Sequence, residues 1–199
     1  MSPRLDPVPK DLWGDEEAAA VRAGMPAVAA DRFLAPGPDA PRLANGISSL
    51  LHHPTLAAAF LNFNGQLLWD PVLSPRLREL VVLRVARRTR SQYEWVQHAK
   101  LSQRYDVTPE EVAAIAADDY GLFNDFETAA LDATDQLLST YRVKDETWQQ
   151  LAAELDAKAL VELLYVVGTY TSLAMVFNGL GIELDPDLDP SIAPPLPED

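Results

Sequence analysis

Residues 75–101 read PRLRELVVLRVARRTRSQYEWVQHAKL, and two consecutive helices are written in them. Pro75 suits a first helical turn, where its missing N–H costs nothing, and Ser74 before it is a candidate cap. From Leu80 to Ala86 the residues are apolar nearly all round, so this helix is buried on most sides and Arg84 in its middle is conspicuous. Arg87, Arg88 and Arg90 stand near its end, where cations complement the helix dipole. Ser91-Gln92-Tyr93-Glu94 then fits the capping-box spacing S/T-x-x-E, with Ser91 as cap and Glu94 as its reciprocal partner. Glu94 and His98, four residues apart, are neighbours on the surface of this second helix.

Helical signals continue on both sides. Residues 43–63 carry apolar positions at helical spacing, interrupted by His53-Pro54. Thr108-Pro109-Glu110-Glu111 is a capping box with proline at the first position, and Asn124 to Glu127 repeats the spacing with a weaker cap. Asp145 precedes TWQQLAAEL. Asp156 precedes a long apolar helix that closes near Gly179 and Gly181. No period-2 run of strand type occurs, so the fold class is all-α. Residues 1–42 are rich in proline and alanine and read as an extended arm with one short helix near Glu16 to Gly24. Residues 43–184 form the expected single helical domain. The acidic, proline-rich stretch 185–199 is expected to be extended or disordered.

The 199 residues are 48% hydrophobic and 23% charged, an ordinary globular composition. A formal net charge of −14 repels polyanions, and no basic stripe offsets it, so nucleic acid is not an expected partner. The stretch 163–182 has no charged residue and approaches spanning length. Its glycines, threonines, serine and asparagine point instead to a helix buried in a bundle or at a subunit contact, and no membrane partner is expected. The N-terminus lacks the apolar core of a signal peptide, which suggests a cytoplasmic protein. There is no cysteine, which removes disulfides, thiolate metal sites and thiol-based catalysis together.

Ser91, Glu94 and His98 admit two interpretations. In one, Ser91 and Glu94 only cap a helix, Tyr93 and Trp95 are core, and His98 is a satisfied buried histidine. In the other, Glu94 orients His98 and raises its basicity, making a general acid/base near neutrality, while Tyr93 and Trp95 wall a pocket for a small molecule. A metal site is less well supported, because His52 and His53 lie far off in sequence without ligand-type spacing. No cofactor is implied.

The run RLRELVVLRVARRTRSQYEWVQHAKLSQRYDVTPEEVAAIA resembles the carboxymuconolactone decarboxylase family, which includes the alkyl hydroperoxide reductase D-like proteins. The similarity extends over about residues 45–190. It implies a bundle of antiparallel helices assembling as homotrimers or homohexamers with pockets near subunit contacts. Peroxidase members carry a glutamate, two cysteines two residues apart, and a histidine; the matching positions here are Glu79, Ser91, Glu94 and His98. Both sulfurs are absent, so a disulfide-forming peroxidase mechanism is excluded. Glutamate at the second position resembles the decarboxylase branch, from which only Ser91 departs. That branch implies a lyase or isomerase acting on a lactone or related cyclic acid. His98 would transfer the proton, Glu94 would orient it, and Glu79 would be a second acid/base or the partner of a buried arginine. Ser91, Tyr93 and Trp95 would line the substrate pocket, and Arg84 would either hold an anionic substrate or serve a buried ion pair. The alternative is a non-catalytic ligand-binding or assembly protein on the same fold.

Overall fold

The computed structural model describes residues 3–37 and 39–196. Every regular element among them is helical. The chain divides into two compact units: residues up to Pro71 with Leu180–Asp185, and Val72–Gly179 with the residues from Pro186 onward. Contacts therefore divide the chain near residue 71, not at the expected edge of an arm at residue 42.

The first unit holds α1 (Asp15–Ala23), α2 (Ala27–Leu34), α3 (Asn45–Leu50) and α4 (Pro54–Trp69). The segment expected to be an arm with one short helix thus contains two, packed against α4 through Ala20, Val21, Ala30, Ala57 and Leu61. Proline breaks long helices but does not forbid short ones, and Pro26 sits just before α2 where it does no harm. Gly24 ends α1 against α4: a Cβ there would meet the Leu61 Cβ at 2.8 Å, and its carbonyl accepts the Trp69 indole N–H at 2.9 Å. Asp185 returns to this unit, accepting from Arg42 and, at 2.7 Å, from the Asn45 backbone N–H.

The second unit holds α5 (Pro75–Thr89), α6 (Gln92–Ser102), α7 (Pro109–Ala116), α8 (Asp125–Thr140), α9 (Asp145–Glu154) and most of α10 (Ala157–Leu180). α5 is its axis, packing on α6, α7 and α8, and residues 77–86 are all buried. Ser74 caps α5 by accepting from the Leu77 N–H. Arg90, in the left-handed conformation, ends it, and the chain turns into α6 within two residues. The Thr108 and Asn124 capping boxes both form, and Asp156 accepts from the Ala159 N–H at 2.8 Å.

One side chain joins three of these helix starts. Arg76, in the first turn of α5, donates to Glu111 of the α7 capping box and, at 2.8 Å, to Glu127 of the α8 box. The two glutamates are thereby fixed at both ends, by a backbone N–H and by a guanidinium. Arg84 makes the ion pairs its burial demands, with Asp135 and Asp118, and its guanidinium lies 5.2 Å from the Tyr120 ring centre.

α10 is the uncharged run noted in the sequence beyond Glu162. Among the described residues it is the one helix long and apolar enough to cross a membrane, and half of its apolar window is buried. The described stretch 186–196 belongs to the second unit: Leu188 and Ala193 are buried, and the Pro194 carbonyl accepts the Trp95 indole N–H at 2.7 Å, while the rest of the expected tail, 197–199, lies outside the described residues. Apart from a single 3-10 turn at Pro190–Ile192, the described part of that segment has no regular helix or strand.

Arg76→Met leaves two capping glutamates without their cation. Charge-assisted hydrogen bonds of this kind contribute about 1.5–3 kcal/mol each when made, discounted here for partial exposure. Urea unfolding of the variant should show a loss of about 2 kcal/mol, and an unchanged midpoint would remove Arg76 from the packing argument.

Candidate functional site

The site is built where α5, α6 and α10 present polar groups to one another inside the second unit. Glu79 is on the buried α5, with no exposed surface. Its Oε2 accepts from His98 Nδ1 at 2.7 Å, and its Oε1 accepts from the Arg78 guanidinium at 3.1 and 3.2 Å. Burial pushes the Glu79 carboxyl up, but the His98 and Arg78 contacts outweigh it and hold the group below the usual carboxylate range. Arg78 in turn lies 5.5 Å from the Tyr105 ring centre.

His98 is thus oriented by Glu79, not by Glu94 as expected from the i, i+4 spacing. The reason is reach. Glu79 and His98 face each other across the α5–α6 interface, so the hydrogen bond closes end-on. Neither carboxylate oxygen of Glu94 makes a hydrogen bond, although both are buried. With Nδ1–H donated to a carboxylate, the neutral ring carries its lone pair on Nε2. Tyr170 of α10 packs edge-on against the ring, at 5.1 Å and 87°. Burial foremost, then the Glu79 carboxylate, pushes the Tyr170 phenol above its ordinary range, so it stays a neutral hydroxyl.

Glu94 is the anomaly. It is 2% exposed, and burial pushes its carboxyl up to about 7, against smaller opposing effects of the Ser91 hydroxyl and the His98 ring. The expected capping box does not form: Ser91 caps through its backbone, which accepts from the Trp95 N–H at 2.9 Å. Its hydroxyl, like the Gln97 Oε1, is buried without a partner. Here then is a carboxyl group held near half-protonation at neutral pH beside a histidine tied to a second carboxylate. Such a pair of unlike environments is what separates an acid from a base in one site.

The other expected site residues fall as follows. Tyr93 packs edge-on against Phe177 at 5.3 Å, and Trp95 is fully buried, its N–H given to Pro194. Arg84 does not join the site, because Asp118, Asp135 and the Ile115 carbonyl take its donors. The option of an anion held by Arg84 is therefore withdrawn in favour of the buried ion pair. Tyr170 was missed. Its run, LLYVVGTYTSLAMVF, has the look of plain core, and only its placement against His98 distinguishes it. Among the described residues no group of three or more His, Asp or Glu side chains converges to hold a metal ion.

The family model described as the carboxymuconolactone decarboxylase family matches residues 54–138, the span that carries Glu79, Ser91, Glu94 and His98. The chain contains no cysteine. No curated protein matches the sequence. Among solved structures, the alkylhydroperoxidase AhpD core protein from Ralstonia eutropha JMP134, a peroxidase-related protein, is similar with a TM-score of 0.70 at 17% identity, covering 94% of this chain and 95% of that one. The debrominase Bmp8 is similar with a TM-score of 0.68 at 18% identity, covering 92% of each chain. A Bmp8 variant in complex with 2,3,4-tribromopyrrole gives a TM-score of 0.62 at 20% identity, covering 73% of this chain and 79% of that one. These likenesses are of fold.

A carboxyl whose pKa rises on folding binds more protons in the folded state, so its presence costs stability as pH climbs from its unfolded value of 4.5 through about 7. Glu94→Gln removes that cost. Thermal unfolding should show the variant level with wild type near pH 4 and more stable near pH 8, by up to about 3 kcal/mol. Parallel pH profiles for the two proteins would show that Glu94 is not desolvated.

Proposed function

We propose that the protein is a small-molecule enzyme, a lyase or isomerase that moves a proton on a lactone or related unsaturated ring compound. The observation that carries this is the 2.7 Å hydrogen bond between His98 Nδ1 and the fully buried Glu79. It fixes the tautomer, leaves Nε2 as the reacting nitrogen and stabilises the imidazolium once a proton arrives. Glu94 supplies the second proton site. In a decarboxylation, His98 starts as the imidazolium, having taken a proton at Nε2 from solvent; the electrons of the breaking bond move into a conjugated carbonyl, carbon dioxide leaves, and Nε2–H delivers that proton to carbon, leaving the neutral ring. In an isomerisation the ring takes a proton from one carbon and returns it to another. Neither route needs sulfur, oxidant or metal. The match of residues 54–138 to the carboxymuconolactone decarboxylase family model and the likeness to a debrominase support small-molecule chemistry on this fold.

His98→Ala should lower turnover of unsaturated lactones by about 10²–10⁴-fold, the usual range for a positioned acid/base. Glu79→Gln should lower the maximal rate more than it raises the Michaelis constant, because it disturbs the tautomer and not the substrate contacts. Wild-type turnover that survives His98→Ala would sink the assignment.

We also propose that the chain assembles with copies of itself through α10. Val161, Tyr165, Gly168, Ser172 and Met175 follow one another at spacings of four and three and are exposed. An uncharged helix face of this length is rare on a chain of net charge −14. Light scattering should give a mass above that of one chain, and Met175→Glu should shift it toward the monomer. A wild-type protein that is already monomeric at micromolar concentration would end this proposal.

A further inference from the structure

The oxygens left without partners lie close together in the sequence of one helix. Ser91 Oγ, both oxygens of Glu94 and the Oε1 of Gln97 are buried and have no hydrogen-bond partner outside this set, within which the Ser91 hydroxyl acts on the Glu94 carboxyl. They recur every three residues from the cap of α6, a spacing that keeps them within about a third of the helix circumference. Buried polar groups are normally satisfied, and four orphaned oxygens at one helix start are a departure to be explained. All four accept. The protons they can share among themselves are the Ser91 hydroxyl proton and, in the acid form, that of Glu94.

Cations are equally informative. Arg78 and Arg84 are the buried arginines among the described residues. Arg78 is committed to Glu79 and Arg84 to Asp118 and Asp135. A ligand carboxylate entering beside Ser91 and Glu94 would meet the Glu94 carboxyl and the Gln97 carbonyl oxygen with only the Ser91 hydroxyl to donate, and neither buried arginine is uncommitted. Repulsion and unmet desolvation would oppose it. A neutral group bearing hydrogen would meet the opposite situation, because each O–H or N–H it brings satisfies an acceptor that is otherwise buried bare.

We propose that the Ser91–Glu94–Gln97 face of α6 recognises a neutral unsaturated ring through a hydroxyl or N–H group on that ring, and not through a carboxylate. This rests on the reading of His98 as a proton-transfer group, and it narrows that reading. A substrate without a carboxylate has no carbon dioxide to lose, so the reaction left is the isomerisation. One proton leaves a carbon beside a carbonyl for His98 Nε2 and returns at the far end of the conjugated system, with no net gain or loss of electrons. The donor held by Glu94 keeps the ring in register while the proton moves. Selectivity of this type is strong, since a site that hydrogen-bonds a substrate O–H rejects the analogue that lacks it.

Three ring-matched probes separate the possibilities: para-fluorophenol, para-fluoroanisole and para-fluorobenzoate, titrated by fluorine NMR into the full-length protein at neutral pH. The phenol should bind at least about tenfold more tightly than the anisole, which lacks the donor, and than the benzoate, which carries the charge. Glu94→Leu should erase the difference between phenol and anisole. Ser91→Ala, a smaller change that spares the fold if Glu94→Leu does not, should reduce it severalfold. Benzoate binding as tight as phenol, or no binding by any probe, overturns the proposal; in the latter case the oxygens are satisfied by water alone. Recognition and catalysis fail separately. Phenol binding in a protein that turns over nothing would refute the proton-transfer reading and keep this one. His98-dependent turnover of a lactone carboxylate, with benzoate bound as well as phenol, would do the reverse.

Discussion

Glu79 has no surface of its own, and the architecture of the second unit follows from what that demands. A carboxylate removed from water must be paired and hydrogen-bonded on both oxygens or it will not ionise. Arg78 takes one oxygen and His98 the other. Since Arg78 and Glu79 both lie on α5 and His98 on α6, the two helices are held in one register by a bond that tolerates little displacement. Hydrophobic packing of residues 80–86 brings the helices together, and the ionic chain decides how they meet. The histidine's orientation is therefore a consequence of a folding requirement, which is why it is set before any ligand arrives.

Glu94 shows the same physics with the opposite outcome. It is as buried as Glu79 but has no guanidinium beside it, and burial outweighs the smaller effects of the Ser91 hydroxyl and the His98 ring, so its carboxyl is pushed up to about 7. Two glutamates on facing helices are thus held in different protonation states by their partners alone. A protein under selection for stability only would replace such a group with glutamine or leucine.

The helices were legible because their punctuation is local. Ser74, Thr108, Asn124 and Asp156 announce helix starts that the structure contains, each through a bond spanning three residues. The two short helices before residue 42 were less legible, as proline density obscures segments of eight or nine residues. At the site, the spacing of Glu94 and His98 suggested a partnership that does not form. Periodicity along one helix states which side chains are neighbours, not which of them finds a better partner on the next helix. Glu79 is nineteen residues from His98, and the resemblance to a family, not any local pattern, brought the two positions together. Tyr170 lay beyond both kinds of signal, because a tyrosine in an apolar run is indistinguishable from core until its neighbour is known.

The contact between Trp95 and Pro194 has an optical consequence. Trp69 and Trp148 are exposed, whereas Trp95 is wholly buried and its indole N–H is held by a carbonyl of the C-terminal stretch. Its emission should be the bluest in the molecule and should redden when that stretch lifts away, admitting water to the indole. The protein thus carries its own fluorophore one helical turn from His98, reporting on whether the stretch around Pro194 is seated against α6.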